Sequence, residues 1–157
     1  MKDPLQIRQK LKSILIGATV TLFVAYPQAS FASPEMKSII EFLDAENINS
    51  NGTENPVHLQ FTGLRCTAIL TMLVQNLDDN GLKDMARRIE IIHDNALNSV
   101  IISTSSNQKF IETQLKIMIS AYLERWQKAK ALTGSWSNDP IIKSDIDTCT
   151  QIFGKKR

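Results

Sequence analysis

Very little in this sequence could carry out chemistry. Its 157 residues hold two histidines and two cysteines. It contains no His-Glu-x-x-His pattern, no glycine-rich phosphate loop and no serine elbow, so the motif-borne metalloprotease, nucleotide and hydrolase chemistries are excluded. The cysteines are not in a Cys-x-x-Cys, which removes a thioredoxin-type redox role. Alternating β-branched runs are missing, and with them the signal for a sheet. There is no internal repeat and no low-complexity stretch. Neither a metal nor a cofactor is expected.

The N-terminus has a definite order. Lys2, Arg8, Lys10 and Lys12 stand against one acid, Asp3. An uncharged, mostly apolar run follows over 13–26, broken by Pro27 and Gln28. Ser30 and Ala32 then supply the small residues that signal peptidase requires. This is the order of a secretory signal peptide, read as residues 1–32, with the mature domain at 33–157. The apolar run is shorter than the ~20 residues a membrane-spanning helix needs. No cysteine stands at the cut, so lipid attachment is not indicated. The expected location is periplasmic or secreted, without a stable membrane anchor after cleavage.

The leader also accounts for the charge. The whole chain is +2. Residues 1–32 hold four of the 18 basic and one of the 16 acidic residues, leaving 14 against 15 and a net charge of −1. Nucleic-acid binding loses its support. Lys155, Lys156 and Arg157 form a short cationic tail that suits a helix C-terminus.

The mature part is predicted to be all-α: one small bundle of about five helices, long enough for a single core. Ser33-Pro34 is read as a cap and first position of the first helix, with Met36, Ile39, Ile40 and Leu43 as its apolar stripe. A polar linker over 47–56 ends it. The second helix, 57–78, is apolar on most sides and therefore central, with Gln60, Thr67, Thr71 and Gln75 as its solvated strip. Gly63 within it predicts a close approach by a neighbouring helix. The third helix covers 82–103, with Leu82, Met85, Ile89, Ile92, Ala96 and Val100 facing in. The fourth opens at the capping-box spacing Ser105-x-x-Gln108 and runs to about residue 132. The last begins at Asp139-Pro140 and presents Ile142, Ile146, Cys149 and Phe153.

Two thiols in an exported protein are expected to pair. A Cys66–Cys149 bridge closes a loop across 83 positions. In the chain-entropy model that contributes roughly 4 to 4.5 kcal/mol. Arg65 falls inside the second helix's apolar arc, where a buried guanidinium needs a carboxylate. Asp145, one turn before Cys149, is the candidate, whereas Asp147 points to solvent. The alternative is that Arg65 lays its stem over apolar surface and keeps its head in water. His93 lies mid-stripe on the third helix, with Asp94 directed elsewhere, and reads as a core residue. His58 is placed in the loop before the second helix. Tyr122, Trp126 and Trp136 are expected to cluster, as core or as an aromatic ligand wall.

Gly63-Leu-Arg-Cys66 opening an apolar helix and Asp145-x-x-x-Cys149 in the last one resemble a set of small exported helical proteins of Gram-negative bacteria whose function is not assigned. The two-cysteine plan is also similar to periplasmic immunity proteins that neutralise type VI amidase toxins. That resemblance implies a non-enzymatic interaction or inhibitor protein with an envelope protein as partner. Two other classes stand beside it. A small apolar ligand or lipid carrier would use the wide arc of the second helix. An enzyme would need Arg65, His93 and a carboxylate to converge on an open cleft. The sequence leaves the oligomeric state open.

Overall fold

The computed structural model describes residues 36–45, 56–104 and 107–155. The expected leader and cleavage site, the expected Ser33-Pro34 helix start and linker residues 47–55 lie outside them. Among the described residues there are five α-helices, one 3₁₀ turn and no strand. They are α1 (Ile39–Ala45), α2 (Pro56–Asp79), α3 (Lys83–Ser103), α4 (Gln108–Thr133), the turn Trp136–Asn138, and α5 (Pro140–Phe153). The described residues from Lys37 onward belong to one compact unit. None of the described helices is long and apolar enough to cross a membrane.

The first helix starts later than expected. Met36, Lys37 and Ser38 are not helical, and Ser38 is the cap. Its hydroxyl accepts from the Glu41 N–H at 3.2 Å, while its own N–H donates to Glu41 Oε2 at 2.6 Å. This reciprocal Ser-x-x-Glu box satisfies two backbone donors at once. Ile39 and Leu43 are buried, but Ile40 is exposed, so the stripe is narrower than expected.

Helix α2 is the central element. Residues 62 to 70 are buried without interruption. Helix α3 runs along one side of α2, and α4 and α5 pack against the rest. Thr67, expected in solvent, is fully buried. Its hydroxyl donates to the Gly63 carbonyl one turn back at 2.8 Å, so burial leaves no polar atom unpaired. Gly63 is where α3 comes close. A Cβ there would lie 2.7 Å from Ser99 Oγ and from Val100 Cγ2.

That close seam decides which face of α3 is buried. Ala86, Ala96, Leu97 and Val100 are inside, whereas Leu82 and Met85 are exposed. The small residues at the seam, rather than the longest apolar ones, set the register. Gly81 makes the turn from α2 to α3 at φ +75°. Its N–H donates to the Asp78 carbonyl at 2.9 Å, and the Leu82 N–H to the Leu77 carbonyl at 2.8 Å, a left-handed helix ending that only glycine adopts without strain.

Asn107, not Ser105, caps α4, accepting from the Phe110 N–H at 3.1 Å. The asparagine sits directly before the first helical residue, and Ser105 lies outside the described residues. Asp139 caps α5 as expected, accepting from the Ile141 and Ile142 N–H groups at 2.9 and 3.0 Å, with Pro140 at the first position.

Candidate functional site

The polar centre of the domain is a knot of three side chains from three helices. Arg65 comes from α2, Tyr122 from α4 and Asp145 from α5. Arg65 is 4% exposed, and Tyr122 and Asp145 are 0% exposed. The Arg65 Nη2 and Asp145 Oδ2 atoms are bonded, and the Tyr122 hydroxyl donates to the same Oδ2. Arg65 Nε donates to the Tyr122 oxygen at 3.0 Å. The guanidinium carbon lies 5.6 Å from both the Phe61 and the Tyr122 ring centroids. Arg65 therefore does not reach out to water.

The fourth participant is main chain. Arg65 Nη1 donates to the Lys37 carbonyl at 2.6 Å. Asp145 Oδ1 accepts from the Ile39 N–H at 2.7 Å, at the start of α1. A carboxylate in that place also meets the positive end of the helix. Both oxygens of Asp145 and three nitrogens of Arg65 are thus engaged inside the protein.

Burial shifts two of these groups. It pushes the Asp145 carboxyl above the ordinary carboxylate range, against the pull of Arg65, the Tyr122 hydroxyl and the Ile39 N–H. The bond to Arg65 is the largest of the influences that favour the charged form against burial. Burial also pushes the Tyr122 phenol far above its usual value, with the neighbouring Asp145 charge adding to the effect. Tyr122 keeps its proton, which it donates to Asp145 while its oxygen accepts from Arg65 Nε. The knot can hold charge and direction but offers no exposed atom to a substrate.

One residue along α2 from Arg65, and one turn along α5 from Asp145, is the Cys66–Cys149 disulfide. Its Cα atoms are 5.4 Å apart and both residues are 0% exposed. The bridge and the knot join the same two helices at the same level.

The remaining candidates separate. Tyr122 belongs to the knot, while Trp126 stacks on Trp136 with centroids 4.1 Å apart and planes 17° apart. The expected three-ring cluster is therefore a pair of indoles, because the tyrosine hydroxyl is drawn to the buried carboxylate. Arg125 pairs with Asp139 at 3.0 Å beside them. His93 is half-buried, with Nδ1 3.3 Å from Asp94 Oδ1, so Asp94 turns toward it rather than away. His58 lies within α2, not before it, and its ring meets that of Phe42 in a T-shaped contact with centroids 6.1 Å apart. Among the described residues, no group of three or more His, Cys, Asp or Glu could hold a metal ion.

Reading the sequence missed Tyr122 as a donor and the main chain at 37–39 as a partner. The first had a signal, since a buried tyrosine hydroxyl needs an acceptor. The second had none, because main-chain groups are the same at every residue. No family model, no curated protein and no solved structure matches this chain.

Proposed function

We propose that this is an exported, non-enzymatic interaction protein of the periplasm or the extracellular space, acting as an inhibitor or immunity-type partner of an envelope protein. The observation that carries this reading is the outer face of α3. Ile91 and Ile102 are 65% and 78% exposed. They stand three turns apart on one side of the helix, with exposed Asn95 and Asn98 between them. Aliphatic anchors among amides suit a protein surface better than a small-molecule site. The groups best able to do chemistry, Arg65 and Asp145, are by contrast buried and bonded to each other. Export draws support from the order of the first 32 residues and from the buried disulfide.

The test is site-specific photo-crosslinking in the native envelope. A crosslinker at Ile102 gives a discrete protein adduct, and one at exposed Lys143 on α5 does not. Ile91→Asp placed with the Ile102 crosslinker removes the adduct. Absence of an adduct, together with a lipid or small molecule leaving with the purified protein, would replace this reading with the carrier.

A further inference from the structure

Helix α1 differs from the others in how it is held. It lies outside the covalent loop closed by Cys66 and Cys149. With seven residues it is too short to be helical alone in water, where about 12 to 15 are needed. Its attachment includes buried Ile39 and Leu43, the ring of Phe42 against Phe61 at 4.1 Å and against His58 at 6.1 Å, and the two main-chain bonds to Arg65 and Asp145.

Those two bonds leave the knot itself untouched. Arg65, Tyr122 and Asp145 hold one another through Nη2, Nε, the phenol oxygen and Oδ2. Arg65 Nη1 and Asp145 Oδ1 remain, and α1 uses them. Together they form a prebuilt socket of one donor and one acceptor. It matches the C=O of one residue and the N–H two residues later, with a buried aliphatic site at each end of the following turn. The socket reads main chain and the spacing Ile39 to Leu43, not the identity of a charged side chain.

We infer that α1 is an exchangeable strap. It opens as a unit while the disulfide-closed core stays folded, and the vacated Arg65–Asp145 socket takes the α1 of a second copy of this chain. The in-cis complex demonstrates the fit, and the ten residues 46–55 that connect α1 to α2 in the sequence include four asparagines. Exchange of an identical element between copies needs no new contact chemistry.

The test uses the disulfide-bonded protein and a fluorescent peptide of residues 37–45. Ile39→Asp puts a charge where Ile39 is buried, which releases the strap and leaves the socket built. I39D binds the peptide at least tenfold more tightly than the unchanged protein, whose own α1 competes at the high local concentration of a tethered segment. Methylating the Ile39 amide of the peptide weakens binding about tenfold, because a charge-assisted bond is lost. An I39D protein that unfolds cooperatively but takes up no peptide overturns the proposal. Should I39D not fold, hydrogen exchange on the unchanged protein decides. The Phe42 and Leu43 amides exchange at least tenfold faster than those of Ala68 and Leu70, and equal protection overturns the proposal. Exchange between copies is read by sizing after concentrated protein is held in urea below its unfolding midpoint. A dimer that excess peptide 37–45 suppresses supports the exchange. No dimer, or one indifferent to the peptide, overturns it.

Discussion

Replacing Arg65 with methionine keeps the length of the side chain and removes its charge. Asp145, 0% exposed, then has a buried carboxylate without its cation. The Tyr122 and Ile39 donors remain, but they do not neutralise it. Removing one partner of a buried pair in this way costs about 3 to 5 kcal/mol. Asp145→Leu strands the guanidinium instead and costs a similar amount, since Tyr122, Lys37 and the two rings leave it solvated only in part. The double variant R65M/D145L has no charge left to desolvate. It leaves the Tyr122 hydroxyl and the Ile39 N–H without their acceptor, at about 1 to 3 kcal/mol each. The double variant should therefore be more stable than the sum of the single losses, by about 4 kcal/mol at the middle of these ranges. Urea unfolding of the oxidised proteins, followed by far-ultraviolet circular dichroism, gives all four values and their coupling. Single losses below ~1 kcal/mol, or strict additivity, would refute a buried and mutually dependent pair.

Other expectations follow from the same geometry. Tyr122 has its proton affinity raised by burial, so its contribution is complete below the unfolded phenol's value near 10 and is lost as pH rises beyond it. Stability should fall by about 1.4 kcal/mol per pH unit there, and Tyr122→Phe should flatten that slope in urea titrations between pH 9 and 11. Glu41 is lowered by the Ser38 N–H it accepts, so the α1 cap is intact above the ordinary carboxylate range and is lost as pH falls through the lowered value. The protection factor at Phe42, the observed rate set against the intrinsic rate at each pH, should fall in acid, and Glu41→Gln should remove most of that dependence. Gly63→Ala drives a methyl against Ser99 and Val100 and should cost about 1 to 3 kcal/mol by thermal unfolding despite alanine's better helix propensity. An unchanged or raised melting temperature would show that the seam yields. Cys66 and Cys149 are fully buried, so dithiothreitol should leave the native bridge intact and reduce it only once urea opens the core.

The parts of the fold that could be read from the sequence are those fixed by period and by punctuation. The apolar arc of 57–78 could belong only to a central helix, and Asp139-Pro140 marks a helix start by chemistry that no neighbour alters. Gly63 announced the seam with α3 because a glycine in a helix needs a reason. Arg65 in an apolar arc raised the question of a carboxylate, and the wheel placed Asp145 on the edge of the right face. The errors arise where a polar group is satisfied locally. Thr67 looks solvated by type, yet its own helix accepts its hydroxyl. Ser33-Pro34 drew attention from Ser38-Ile-Ile-Glu41, whose reciprocal bonds become visible only in three dimensions. Leu82 and Met85 fit the period of α3, but the stripe's angle is set by the small residues farther along. The pairing of the knot with the backbone at Lys37 and Ile39 depends on tertiary geometry, which periodicity does not encode.

Intact mass of the protein recovered from the native cell envelope reads the proposed export and the Cys66–Cys149 bridge together. The expected chain begins at Ser33 and is lighter, before reduction, by the two thiol hydrogens. A chain that retains residues 1–32 and carries two free thiols would contradict both.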